Sequence, residues 1–391
     1  MLFHADTGCY PDTFMKSRRS IYLLAGAVLT MGVGIQMHIA MNVNFIHELL
    51  HGTSWQQGYL EALRESCGVL SFFAVALLAG RSEPRIAAVM LVITGFGLSA
   101  YSRLGTIPQL VFFSMLWSFG FHVWGPLSSS MALHLSTKGK EGQTMGVIGA
   151  IGSAGVLASL GAVYLLRVYA GFGMRELFLI AGMVTALGAI PLLFMKTIRA
   201  EKPEVYPALK LLAPRYRLYL GLELLDGMRK QIFILFAILA LVREHGIKME
   251  TIAGLMLLNQ IVNLAVSPAA GRLVDRIGEK RVLSFYFSGL ILVFILYTAF
   301  SNIYALFVVY LLDSMMWSLR VALPTYANSI VEKGERTRLL AMGITMNHVG
   351  AVTLPIIGGI LYAGMGYRFP FYCGAVIALL SLYVAQRVPR R

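Results

Sequence analysis

Nine charged side chains and three histidines sit deep within apolar stretches of this sequence, where an unpaired charge costs at least about 2.5–3.5 kcal/mol on insertion scales. "YLEALRESCG" carries Glu61, Arg64 and Glu65. On a helix Glu61 and Glu65 share a face and Arg64 lies one turn from Glu61, so two carboxylates meet one cation and one carboxylate is left to take up a proton. "GLELLDGMRKQIF" carries Glu223, Asp226, Arg229 and Lys230; its two cations either neutralise its two carboxylates or present positive charge to an anionic solute. Asp313 and Arg320 stand two helical turns apart on one face. "MNHVG" adds Asn347 and His348, and His38 and His122 are further histidines at depth, a residue type that exchanges a proton near neutral pH. Gln231, Asn259, Gln260 and Asn263 supply uncharged hydrogen-bonding groups, in the commoner case as glue between helices. This set suits ion pairing, proton coupling and contact with a small solute.

The same residues do not suit bond-making chemistry. The sequence has no nucleophile and base constellation, no phosphate-cradling Walker loop and no metal-ligand spacing, and Cys9, Cys67 and Cys373 are isolated. The expectation is therefore a protein that is not an enzyme, hydrolyses no ATP and needs neither cofactor nor metal.

The elements that must position these residues are membrane-spanning helices. Of 391 residues 57% are hydrophobic and 13% charged, and the mean hydropathy of +0.71 excludes an ordinary soluble domain. Twelve apolar stretches are predicted as spans, at 21–46, 57–80, 85–102, 107–134, 143–166, 174–195, 217–242, 251–270, 282–300, 303–325, 339–363 and 369–386. The strict alternation of a transmembrane barrel is absent. The first stretch is too long for a signal-peptide core, so it is expected to stay as helix 1.

A net charge of +14 would suit nucleic acid if it lay on one face of a soluble domain, but here it is spread over short connections. With a cytoplasmic N-terminus, inner connections and tails hold 23 of the 33 Lys and Arg and outer ones six, which places both termini inside. The expected location is a plasma membrane or bacterial-type inner membrane, with lipid and a small solute as partners, no nucleic acid, and a monomeric chain.

The chain also repeats itself. "SMLWS" at Ser114–Ser118 recurs as "SMMWS" at Ser314–Ser318, a proline follows in each copy at Pro126 and Pro324, and Lys138–Gly146 loosely matches Glu332–Gly343. The polar run 196–216 then separates a bundle at 21–195 from one at 217–387, flanked by tails at 1–20 and 388–391.

Six helices plus six, with a basic central loop, resembles the major facilitator superfamily. The residues that carry the resemblance are "GRLVDRIGEKRVL" at Gly271–Leu283, which is similar to that superfamily's loop signature through Gly271, Leu273, Asp275, Arg276, Gly278, Lys280 and Arg281. The equivalent loop after helix 2, "AGRSEPRIA" at Ala79–Ala87, lacks the Leu-x-Asp-Arg-x-Gly core. The glycine-rich "GVIGAIGSAG" at Gly146–Gly155 is a lesser likeness.

The resemblance implies an all-α membrane fold of two pseudo-symmetric six-helix bundles, helices 1, 4, 7 and 10 around a central cavity, and helices 3, 6, 9 and 12 as lipid-facing struts without charges away from their ends. It also implies a secondary transporter working by alternating access, with Gly271–Arg281 as a gate. Residue chemistry favours an anionic or zwitterionic solute and proton coupling through Glu61, Glu65, Asp226 and His348. Alternatives are a multidrug exporter, for which one acidic residue in a Met-rich apolar cavity is expected, or a lipid flippase or non-transporting sensor.

Overall fold

The computed structural model describes residues 11–78, 80–137, 141–199, 213–331 and 336–389. Its α-helices are α1 Pro11–Asn44, α2 Ser54–Leu78, α3 Glu83–Ala100, α4 Ile107–Leu135, α5 Glu141–Val168, α6 Met174–Leu187, α7 Ala189–Leu193, α8 Pro214–Gln231, α9 Ile238–Arg243, α10 Met249–Ile277, α11 Glu279–Ala299, α12 Ile303–Ser318, α13 Ala322–Ile330, α14 Arg336–Met365 and α15 Phe369–Ala385. Among the described residues α6 and α7 abut, α8 and α9 are joined by a π-turn at Ile232–Ala237, and α12 and α13 by a 3-10 turn at Leu319–Val321, so the fifteen helices make twelve rods. Nine of these rods are long and apolar enough to cross a bilayer by length and composition. The others are α2 and the α8–α9 rod, which carry the buried charges, and α15, an apolar helix of 17 residues.

Helix limits follow local chemistry. Thr106 accepts from the Gln109 backbone N–H at 3.4 Å to start α4, and Asn302 accepts from Tyr304 and Ala305 at 2.9 and 3.2 Å to start α12. Pro11 opens α1 ten positions before the apolar stretch predicted from 21, a residue suited to a first turn. The connection predicted between 270 and 282 shrinks to a single residue: α10 runs on through Gly271 to Ile277, and Gly278 at φ 81° turns the chain into α11. Gly271 is thus a helical residue, not a turn. Most of the expected linker at 196–216 lies outside the described residues. Its first part is held by an antiparallel bridge between Ser82 and Arg199 and by the Glu83 N–H donating to Ile198 O at 2.8 Å.

Packing divides the rods into α1–α7 and α8–α15, which meet mainly where α2 crosses α14 and α5 crosses α10. At the end holding the α1–α2 and α9–α10 connections the two groups are closed. There the backbones of α2 and α14 touch through Ser54, Gly58, Pro355 and Gly359, small residues that allow close helix approach. Asn44 Nδ2 donates to Ile247 O at 2.8 Å, and Arg167 stands 3.9 Å from Glu250. Toward the opposite, basic end the groups part. Ile261, Leu264, Ala265, Ser267, Pro268 and Ala269 are exposed over more than half of the α10 circumference, and Gly146, Val147, Gly149, Ala150, Ser153 and Ala154 are exposed on α5. Among the described residues the result is a cleft between the groups, with their contacts densest at the first end and sparser toward the second.

A Cβ at Gly58 would press on the Pro355 carbonyl, whereas one at Gly146 meets open space. Gly58→Leu is therefore expected to lose about 1–3 kcal/mol of stability by overpacking, and Gly146→Ala to lose none. Thermal unfolding of the two variants in detergent measures the difference.

Candidate functional site

The first charge cluster lies within the second group of rods. Arg229 on α8, 1% exposed, pairs through Nη2 with Asp313 Oδ1 on α12 at 2.6 Å. Its guanidinium also sits 5.1 Å from the Trp317 ring and 5.7 Å from Tyr286. Arg320 forks between two carboxylates one helical turn apart, Nε to Asp226 Oδ2 and Nη2 to Glu223 Oε2, both at 2.6 Å. Tyr286 donates to the other Asp226 oxygen at 2.7 Å, and Asn347 Nδ2 from α14 reaches Asp226 Oδ2 at 3.3 Å and Glu223 Oε2 at 3.4 Å. The 3-10 turn at Leu319–Val321 carries Arg320, so the chain departs from regular helix where the fork is made. Three carboxylates here face two guanidiniums.

The second cluster bridges the two groups of rods. Glu65 Oε2 on α2 accepts from Lys230 Nζ on α8 at 3.2 Å and lies 2.8 Å from His348 Nδ1 on α14. The His348 ring meets His122 of α4 edge-on, with centroids 4.9 Å apart. Arg64 is bonded to Glu61, contacts His38 Nε2 at 3.4 Å and lies 5.2 Å from the Trp117 ring. His38 is fully buried among Tyr101, Trp117 and Phe178, an aromatic packing position.

The duplicated pentapeptide now has a physical role. Trp117 supports Arg64 in one copy, and Trp317 lies against Arg229 and Arg320 in the other. The serines that follow also bond across to neighbouring helices, Ser118 Oγ donating to Arg64 O at 2.8 Å and Ser318 Oγ to Asn263 Oδ1 at 3.0 Å.

Two cavities sit side by side between the groups and share Ile39 and Ile234 in their walls. One, of about 240 Å³, is lined by Gln36, Asn259, Gln260, Asn263 and Ser314 with Phe233, Tyr310 and Trp317. The other, of about 200 Å³, is lined by Glu61, Arg64, Glu65, His122, Trp117 and Asn42. Asn259 Oδ1 is buried without a protein hydrogen-bond partner.

Two groups of rods around a central cleft invite comparison with known folds. Residues 218–391 match the model of the Major Facilitator Superfamily. The second group of rods is therefore similar to that superfamily in sequence, over less than half of the chain. Among solved structures, the chain is similar to a point variant of nucleoside transporter NupG, with a TM-score of 0.81 at 14% identity over 94% of this chain and 99% of that one. It is also similar to the D-xylose-proton symporter (TM-score 0.76, 13% identity, 96% and 98% covered) and to a bacterial homologue of the human lysosomal transporter Spinster, inward-facing and occupied (0.74, 13%, 98% of each). These likenesses concern the fold. A probable vesicular acetylcholine transporter-A of Danio rerio is 27% identical over 121 residues, which is 30% of this chain and 24% of the relative's length.

The structure brings Glu61, Arg64, Glu65, Lys230, His122 and His348 to one cluster and Asp226, Arg229, Asp313, Arg320 and Asn347 to the other; His38 is drawn in by Arg64. It differs from the spacing of α8 in one respect. Arg229 and Lys230, one turn from Asp226, do not bond to it: they turn to Asp313 and Glu65, and Arg320 takes Glu223 and Asp226. Each cation thus finds its carboxylate on another helix, except Arg64, which keeps Glu61. In the predicted gate Asp275, Arg276 and Arg281 are exposed, Lys280 donates to Gln386 O, and Gly271 is helical. Glu223 and Tyr286 complete the first cluster. Tyr286 lies on helix 9, read as an uncharged strut, and its phenol gave no signal of its role.

Removing one partner of a buried pair leaves a stranded charge at about 3–5 kcal/mol, whereas an apolar replacement of both is often neutral. Arg229→Met is expected to destabilise by that order, and Arg229→Met combined with Asp313→Leu to recover most of it. Thermal unfolding in detergent of the two singles and the double reads this coupling.

Proposed function

We propose that this chain is a secondary transporter that moves a small, net-neutral polar solute by alternating access, coupled to protons. The carrying observation is the cleft itself. It is lined by amides and aromatic rings, and each of the four intramembrane cations, Arg64, Arg229, Lys230 and Arg320, is already engaged by a carboxylate. That engagement removes the free positive charge on which an anionic solute would rely, and so moves the preference toward an uncharged or zwitterionic one.

Asn259, Gln260 and Gln36 offer donors and acceptors for hydroxyl or amide edges, and Trp317, Tyr310 and Phe233 offer flat apolar faces. A sugar-like or nucleoside-like ring presents both kinds of surface. The nucleoside transporter and xylose-proton symporter among the fold relatives support this class without deciding the solute.

Proton coupling rests on charge balance. Glu223, Asp226 and Asp313 outnumber Arg229 and Arg320 by one, so a single proton brings the cluster to neutrality. A proton on Glu223 or Asp226 loosens the Arg320 fork, which joins α8 to the turn before α13. The two bundles, 21–195 and 217–387, then rock about the cavity, with the basic end and both termini on the cytoplasmic side of a plasma or inner membrane. Glu65, Lys230 and His348 hold the bundles together at mid-depth in this state, and Gly271–Arg281 flanks the basic end as the gating loop. The apolar wall of Phe233, Ile234, Ile238 and Met256 favours a second reading, export of lipophilic compounds.

Purified protein in liposomes, offered pentoses, hexoses, nucleosides, amino acids, organic anions and a lipophilic cation, tests the proposal. Uptake of a net-neutral ring solute driven by an imposed pH gradient is expected. Asn259→Ala should raise KM about tenfold, the size of one or two lost hydrogen bonds, without shifting thermal unfolding. Arg320→Gly, the residue of the other repeat copy, strands Glu223 and Asp226, so it should abolish transport and also lower thermal stability by the order given for Arg229→Met. Uptake of organic anions alone, or a rate indifferent to the gradient, would sink the reading.

A further inference from the structure

We propose that Glu65, His122 and His348 form a binding site for a borderline transition-metal cation such as Zn²⁺, at the seam between the two groups of rods. The ligand-capable atoms of these three side chains all lie within 4.8 Å of one another. A tetrahedral zinc with metal–ligand distances of about 2.1 Å needs its ligand atoms about 3.4 Å apart. The cluster therefore closes on the ion by side-chain rotation of order 1 Å, with no backbone movement.

The hydrogen bond that orients the first imidazole is in place. His122 Nδ1 lies 2.8 Å from the Ser118 carbonyl, which can only accept, so Nδ1 carries the proton and Nε2 keeps its lone pair for a metal. The His348 ring stands at 77° to that of His122, and Glu65 already reaches His348 at 2.8 Å. Two imidazoles and a carboxylate with a fourth position open is a zinc ligand set, and the open position faces the cavity of about 200 Å³ lined by Glu65 and His122. Access runs through that cavity, since both histidines retain partial exposure.

One group opposes the ion. Lys230 Nζ holds the Glu65 carboxylate at 3.2 Å and must leave it when the metal arrives. Its own side chain is 14% exposed, so it has somewhere to go. A dication outcompetes a single ammonium at the carboxylate, and imidazoles bind zinc but not calcium or magnesium. The pair Glu61–Arg64 beside the site is already satisfied and adds no net charge.

Because the ligands come from α2 and α4 on one side and α14 on the other, a bound ion staples the two groups together. Arrest of the cycle by zinc rests on the transport reading; the binding does not. The ligand spacing is invisible as a motif, since 57 residues separate Glu65 from His122 and 226 separate His122 from His348.

The test is calorimetric titration of ZnCl₂ into chelator-treated full-length protein in detergent, purified without a histidine tag. One zinc per chain at micromolar Kd is expected, with Mg²⁺ silent. His122→Ala and His348→Ala should each weaken binding at least tenfold. Lys230→Gln should tighten it, a gain that no loss of folding can mimic. His122→Gln and His348→Gln, nearer in size, stand in should the alanine variants not remain monodisperse. Absence of binding in the unmutated chain, or wild-type affinity in both histidine variants, would overturn the proposal. Neither result depends on whether a solute is transported.

Discussion

The structure is organised around one constraint: a charge taken out of water into a bilayer must find its opposite. Solvent is absent at the depth of Arg229 and Asp313, so their 2.6 Å contact, 1% and 0% exposed, has no competing partner. The same demand draws Arg320 to Glu223 and Asp226, and Lys230 to Glu65. Three of these four cations reach a carboxylate on another helix, so the ion pairs are also the ties that set which rods lie side by side. α8 is the hub, contributing Glu223, Asp226, Arg229 and Lys230 to neighbours in both groups.

Duplication explains the scaffold and asymmetry explains the chemistry. Both copies of Ser-Met-x-Trp-Ser turn a tryptophan toward a guanidinium, Trp117 to Arg64 and Trp317 to Arg229 and Arg320. The acidic cluster belongs to one half alone: Phe113 and Gly120 stand where the other copy has Asp313 and Arg320. Gly120 is there for a packing reason. It lies against α3, where a side chain would meet the backbone of Met90 and the hydroxyl of Thr94. An arginine at that site has no room, and the charges of the first half lie on α2.

The two ends of the cleft differ in the kind of contact that holds them. At the closed end the contacts are backbone against backbone at Gly58 and Gly359, dense and short-ranged. At mid-depth they are polar and few, Glu65 with Lys230 and His348. At the basic end α5 and α10 expose glycine, alanine and serine together with Val147, Ile261 and Leu264.

The sequence by itself determined the helical membrane class, the place and order of the twelve rods though not all of their limits, the repeat and the identity of nearly every charged residue that the structure brings together. Those are readable because bilayer thickness dictates span length and because buried charges are too costly to be incidental. What only the tertiary structure decided is who pairs with whom. Helical spacing offered Asp226 to Arg229 and Lys230, yet both reach across to other rods, since in a low-dielectric interior the strongest partner is the one packing brings within reach, not the one nearest in sequence. It also decided that α10 continues to Ile277 where a polar loop was read, because backbone hydrogen bonding at a bilayer edge tolerates charged side chains pointing into water. The meeting of Glu65, His122 and His348 belongs to the same class: three helices distant in sequence converge, and no periodicity within one of them records it.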